Sequence, residues 1–374
     1  MQRIPVFKPS LETKEIQAAV TALEMGWLGM GSYVSDFESG IKECIGADDR
    51  YIAAVSTGHA ALHLGLLLAG VGPGDEVITP SFNNIADFQA ILATGAEPVF
   101  CDILEDTLCI DMSTAEQVIS RRTKAIIAMD YDCHICDHDR VKEVARKQGL
   151  RVIHDAAHAL GSSYKGRPIG SFSDIAMFSF DPVKTITTID GGALVVRTEE
   201  ELYRIHEMRL IGMGQKASEM YKNQRAWTYD VLRLGFRYHL ANLHAAIGLA
   251  QLERFDWIAA TRRYAFEFYD DALSGIDGLI LPKTDIGSIV PFMYYVRVGD
   301  GRRDDFRTFL QDHGIDTGIH WQPGHLFTLF KHCRRGDLSV TERIGREIVT
   351  LPFHSGMDER TLDHVVSVVR KYFL

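Results

Sequence analysis

No apolar run in these 374 residues approaches the ~20 needed to cross a bilayer, so no membrane span is expected. The opening Met1-Gln2-Arg3-Ile4-Pro5 lacks the long apolar core of a secretory signal. Cysteine is sparse: six residues, scattered without the spacing of a disulfide framework, which suits a cytoplasmic protein. Basic charge is in deficit, since 40 Lys and Arg against 50 Asp and Glu leave a formal charge of −10. That balance argues against a broad nucleic-acid surface. Internal repeats and low-complexity tracts are absent as well. What is present is ordinary for a globular chain, with 46% hydrophobic and 24% charged residues. The length allows two domains and a large core.

Short apolar runs alternate with helical patterns up to about residue 200. The periodicity predicts helices over 10–21, 33–44, 60–69, 84–92 and 139–148. Between them lie strand-like runs at 52–55, 76–80, 99–102, 125–129, 152–155, 175–178 and 193–196. Strand, helix, strand at this rhythm implies βαβ units, an α/β fold and a mostly parallel central sheet. A charged helix is expected at 199–210, then a polar, mobile connector from Gly212 to Gln224. Patterns at 243–255 and 261–273 read as one long helix or two. Beyond them a smaller α+β unit is expected, with a strand at 290–298 and helices at 303–313 and 359–372. The boundary is placed near residue 250, giving a large domain of 1–250 and a small one of 251–374.

Three strand-like segments end in polar groups. Val152-Ile153 runs into His154-Asp155, Ile175 to Phe178 into Ser179, and the turn Asp181-Pro182-Val183-Lys184 follows. In open α/β sheets ligands sit beyond the carboxyl ends of the strands, where Asp155, Ser179 and Lys184 can converge. Asp155 alone is as easily a helix cap, and Lys184 alone a solvated lysine. Together they suit a phosphorylated aromatic aldehyde, pyridoxal 5′-phosphate (PLP). Lysine supplies the Schiff base, and a carboxylate keeps the pyridine nitrogen protonated so that the ring draws electrons. Ser56-Thr57-Gly58-His59, at a strand-to-helix turn, is either a phosphate seat or a plain N-cap. It lacks the G-x-G-x-x-G spacing of a dinucleotide site. Cys133-His134-Ile135-Cys136, with His138 nearby, has the shape of a metal or redox motif. No second ligand pair follows at matching spacing, so buried small hydrophobes are the better reading.

On these motifs the chain resembles the DegT/DnrJ/EryC1/StrS family of PLP-dependent sugar aminotransferases. The resemblance rests on residues 55–64, on Gly72-Pro73-Gly74-Asp75-Glu76-Val77-Ile78 and on His154 to Gly161. Phe178-Ser179-Phe180 through Lys184 to Gly191-Gly192 and residues 235–252 complete it. It implies PLP fold type I (aspartate aminotransferase-like), a homodimer, and active sites shared across the subunit interface. Lys184 would carry the cofactor, Asp155 pair with the ring nitrogen and His158 bond the ring hydroxyl. Thr57, Gly58, His59 and Ser179 would hold the phosphate, and Arg237 would reach in from the partner subunit. His320 and His325, in His320-Trp321-Gln322-Pro323-Gly324-His325, would lie near the sugar. Three positions depart from the pattern: His59 for a small hydroxyl residue, Arg237 for asparagine, and Asn84 where an aromatic usually stacks on the ring. Phe82 or Phe88 is the alternative for that last role.

The expected activity is amination of a nucleotide-linked keto-deoxy sugar with L-glutamate as donor. It would serve a surface polysaccharide such as O-antigen or lipopolysaccharide, or a glycosylated metabolite, with C4 preferred over C3 as the aminated carbon. The rivals are a PLP-dependent sugar 3-dehydratase, which has histidine in place of Lys184, a non-catalytic regulator, and a plain nucleotide-binding protein. No metal is expected.

Overall fold

The computed structural model describes residues 3–214, 221–223 and 227–373. Seven short apolar strands form its central sheet: β1 (Tyr51–Val55), β2 (Glu76–Pro80), β3 (Glu97–Cys101), β4 (Thr123–Met129) and β5 (Arg151–Asp155), then β8 (Ile175–Ser179) and β9 (Gly192–Val196). A two-stranded hairpin, β6 (Ser163–Tyr164) with β7 (Arg167–Pro168), interrupts the series. The sheet order is β1-β9-β8-β5-β4-β2-β3. All neighbours run parallel except β9, which is antiparallel to both β1 and β8. The parallel expectation therefore holds, with one reversed strand.

Both faces of this sheet are covered, which is why its strands read as near-continuous apolar runs. Along β1 alternate side chains face opposite ways. Ala54 packs with Phe37 and Ile41 of helix Ser32–Cys44, whereas Ala53 and Val55 pack with Ala61 and Leu64 of helix Gly58–Leu68. That second helix lies against the sheet centre because nine of its eleven residues are buried.

A second sheet, in the order β10 (Leu279–Ile280), β11 (Tyr294–Val298), β12 (Ile348–Leu351), is antiparallel throughout. The N-terminal segment joins it, with Ile4 bridged to Ile315 and the Phe353 amide donating to the Val6 carbonyl at 2.8 Å. One apolar cluster runs from Ile126 and Ala128 of β4 to Tyr294 and Val349 of this sheet. The two halves are thus packed on a common core. The 243–273 pattern resolves as two helices, Asn242–Glu253 and Phe255–Leu273, meeting at Arg254. Residue 250 falls inside the first of them.

Helices Met112–Gln117 and Ser339–Glu347, together with β10 and β12, were not expected. The expected mobile connector, Gly212 to Gln224, lies for the most part outside the described residues. Among the described residues no helix is long and apolar enough to cross a membrane.

Candidate active site

The carboxyl ends of β1, β4, β5 and β8 open into a cavity of about 600 Å³. Lys184 and Asp155 line it, as do Thr57, Gly58, His59, Asn84, His158, Ser179 and His320. Segments more than a hundred residues apart therefore meet at the sheet edge where the motifs placed them.

Lys184 sits on the turn after β8. The Asp181 carbonyl accepts its backbone N–H at 3.0 Å, and Asp181 Oδ1 accepts from Val183 N at 3.1 Å. Its Nζ lies 4.5 Å from the centre of the Phe292 ring. Burial pushes the amine down to about 8, against the opposing pull of Asp155, Asp181 and Asp87. A lysine so placed is part neutral near physiological pH, the form that attacks a carbonyl. Asp155 ends β5, buried, with Oδ1 accepting from the Ala157 amide at 2.9 Å. Burial raises its carboxyl group, while that amide and Lys184 favour the ionised form.

His158 is wholly buried and stacks on Phe292, with centroids 4.1 Å apart and planes 22° from parallel. The Asp132 amide donates to its Nδ1 at 3.3 Å, and Nε2 has no partner. Burial first, then Lys184, holds it neutral, which leaves Nε2 to carry the proton as a free donor. At the β1 turn both readings of Ser56-Thr57-Gly58-His59 are realised. Thr57 Oγ1 caps helix Gly58–Leu68 by accepting from Ala60 N at 2.9 Å. The Gly58 and His59 amides precede the first in-helix donor, Ala61, and can face an anion. A Cβ at Gly58 would stand 2.8 Å from Ser179 Oγ, so glycine keeps this seat open. Gly58→Ala should therefore weaken PLP binding roughly 5- to 150-fold, the range of a 1–3 kcal/mol overpacking cost. Spectral titration of the apo-protein measures it, and unchanged affinity would place the phosphate elsewhere.

The remaining candidates are placed unevenly, and His325 among them needs correction. Asn84 borders the cavity, but its side chain accepts from Ala86 N at 2.9 Å as the N-cap of helix Ile85–Ala93. Neither alternative aromatic lines the cavity. Phe82 packs on Tyr131, and Phe88 packs edge-on against Phe100 and Phe330. The aromatic wall comes instead from Phe7, Phe292 and Trp321. His320 is at the cavity, its Nδ1 2.8 Å from Thr350 Oγ1, and burial takes it down to about 4. His325 is not: Nδ1 pairs with Ser81 Oγ at 2.8 Å, and the same hydroxyl accepts its amide at 3.2 Å. Arg237 is exposed on a strand bridge to Leu210 and does not line this chain's cavity.

Cys133 and Cys136 are buried, as read. His134 Nε2 pairs with Tyr295 Oη at 2.8 Å. His138, however, belongs to a cluster that the sequence reading missed. Asp130 Oδ1 takes His138 Nε2 at 2.8 Å, and Oδ2 takes His154 Nε2 at 2.6 Å. These three groups have ligand atoms within 4.8 Å of one another.

A partly neutral lysine, a buried carboxylate, a free imidazole donor and an amide-lined seat fit PLP in its aldehyde, ring nitrogen, ring hydroxyl and phosphate. With the reversed strand in the sheet, they define a PLP-dependent transferase of fold type I. The chain belongs to the DegT/DnrJ/EryC1/StrS aminotransferase family, whose model matches residues 9–370. It is a PLP-dependent aminotransferase. It is 34% identical to the GDP-perosamine synthase of Caulobacter vibrioides, over 99% of this chain and 98% of that protein. It is equally 34% identical to the spore coat polysaccharide biosynthesis protein SpsC of Bacillus subtilis, over 98% and 96%. Spr1654 of Streptococcus pneumoniae, solved in its PLP form, superposes with a TM-score of 0.91 at 27% identity over the whole of both chains.

Proposed function

We propose that this aminotransferase moves the amino group of L-glutamate onto the keto group of a nucleotide-linked deoxy sugar, yielding an amino sugar for a surface polysaccharide. The observation that carries this reading is the lysine–carboxylate cavity in a chain 34% identical to a GDP-perosamine synthase along nearly its whole length. The relative named for spore coat polysaccharide biosynthesis supports the polymer destination.

Bound PLP supplies a carbonyl that exchanges with amines and a ring that withdraws electrons. The chain does the rest. Lys184 would hold the cofactor through its Nζ and, as a free base, would move the proton at the donor's α-carbon. Its amine, held at about 8, is near enough to neutrality for both tasks. Asp155 would hold the proton on the ring nitrogen, and His158 Nε2 would donate to the ring hydroxyl. Thr57, the Gly58 and His59 amides and Ser179 grip the phosphate. Phe7, Phe292 and Trp321 exclude water from the reacting face, and His320 faces the sugar. In a homodimer, Arg237 of each subunit would complete the other's phosphate site, where its guanidinium can bind bidentately. The lysine also separates this reading from the sugar 3-dehydratase.

The test is an absorbance titration of the holoenzyme. L-glutamate should convert the visible band of the lysine-bound aldehyde to the near-ultraviolet band of the amine form, and a nucleotide-linked keto sugar should restore it. A band that glutamate leaves unchanged, but another amino acid shifts, would replace the donor. Restoration by a small keto acid and by no keto sugar would overturn the acceptor.

A further inference from the structure

Asp87 is a cavity group with no part in the scheme above. It lies in the first turn of helix Ile85–Ala93 and is wholly buried. Asn83 Nδ2 donates to its Oδ2 at 2.5 Å, and Oδ1 has no partner. Asp87 and Asp155 line the same cavity, both buried, with their carboxyl groups close enough to act on one another. The charged groups facing it are Asp155 and Lys184. Asp155, for its part, is fixed by the Ala157 amide on Oδ1.

Two carboxyl groups so placed cannot both ionise cheaply, so one keeps a proton. Asp155 has an amide donor and, in the holoenzyme, a cationic ring nitrogen to stabilise its charge. Asp87 has a neutral amide donor on one oxygen and no partner on the other. We propose that Asp87 is the positioning residue for Asp155: it stays protonated and donates its O–H to the Asp155 carboxylate, which it orients toward the ring nitrogen of PLP. Burial, then the charge of Asp155, push the Asp87 carboxyl well above the usual range, in keeping with this assignment. The inference rests on the cofactor role of Asp155 given above.

The test compares wild type, Asp87→Asn and Asp87→Ala for affinity toward PLP and toward the analogue with carbon in place of the ring nitrogen. The pH dependence of the lysine-bound absorbance band is followed in the same proteins. Asp87→Ala should bind PLP roughly 10- to 100-fold more weakly, the worth of one hydrogen bond to a charged group. It should also shift the pH dependence of the band. Asp87→Asn keeps an N–H donor and should stay within about threefold of wild type. The carbon analogue should bind all three alike. Equal weakening for PLP and the analogue would mean that Asp87 merely packs the cavity, and would overturn the proposal. So would an Asn variant as impaired as the Ala variant, since the acid would then act as an anion. If Asp155→Ala left PLP and analogue affinities in the wild-type ratio, the role of Asp155 itself would fall, which is a separate failure.

Discussion

Lys184→Ala should fold, take up PLP without the absorbance of a lysine-bound aldehyde, and turn over glutamate about 10⁴-fold more slowly or worse. Proton transfer by a positioned base alone contributes 10²–10⁴-fold, and the covalent attachment is lost besides. Lys184→Arg separates nucleophile from charge. Guanidinium keeps the cation beside Asp155 but stays protonated at any working pH, so that variant should be as inactive as the alanine. The amine sits at about 8 because burial outweighs the pull of the carboxylates around it. The sign follows directly: the neutral, attacking form grows as pH rises through that value. Capture of added PLP by the apo-enzyme should accordingly speed up about tenfold between pH 7 and pH 9 and then level. Stopped-flow absorbance reads this. A capture rate flat across that range would mean that Lys184 is not the group limiting attachment.

That such a lysine was legible in the sequence, while its surroundings were not, has a physical reason. Strands buried on both faces are continuous apolar runs with their polar groups at the ends, so β5, β8 and the turn to Lys184 stood out from local pattern alone. The aromatic wall did not. Phe7, Phe292 and Trp321 come from the N-terminal segment and from loops near the second sheet, and no local periodicity links them to β5. Asn84 was placed correctly at the cavity, yet its side chain also serves the helix N-terminus, a role the motif reading did not consider. Asp87 went unnoticed because an acid in a helix's first turn is ordinary, favoured there by the helix dipole, and burial near Asp155 is what makes it unusual. His325 was grouped with His320 by proximity in sequence. The short 3₁₀ turn Gly324–Leu326 instead directs it to Ser81, at the base of helix Ile85–Ala93. In the second sheet, β12 escaped because helix Ser339–Glu347 passes into it with no turn residue between.

Asp130→Asn should destabilise the apo-protein by about 3–5 kcal/mol, the usual cost of removing one partner from a buried charge cluster. Asp130 follows β4, and with His138 and His154 it forms a buried unit directly beside Asp155. The Cys136 amide donates to the same Oδ1 that receives His138, at 2.9 Å. The Asp130 amide in turn donates to the Asp155 carbonyl at 3.0 Å. Three N–H donors thus converge on one buried carboxylate. An asparagine there would present an NH₂ group to an imidazole N–H, leaving a donor unpaired at each end. Burial alone would raise Asp130, but the two imidazoles more than offset it and hold the carboxyl well below its usual range. The folded value being the depressed one, its contribution is full above the ordinary carboxylate range and is lost as pH falls through it toward the folded value. The stability gap between wild type and Asp130→Asn should therefore be constant near neutrality and narrow below about pH 4. Denaturant midpoints taken at several pH values measure both effects. A gap that instead opened as pH fell would mean that Asp130 is protonated in the folded chain, and that the two histidines are held by something other than its charge.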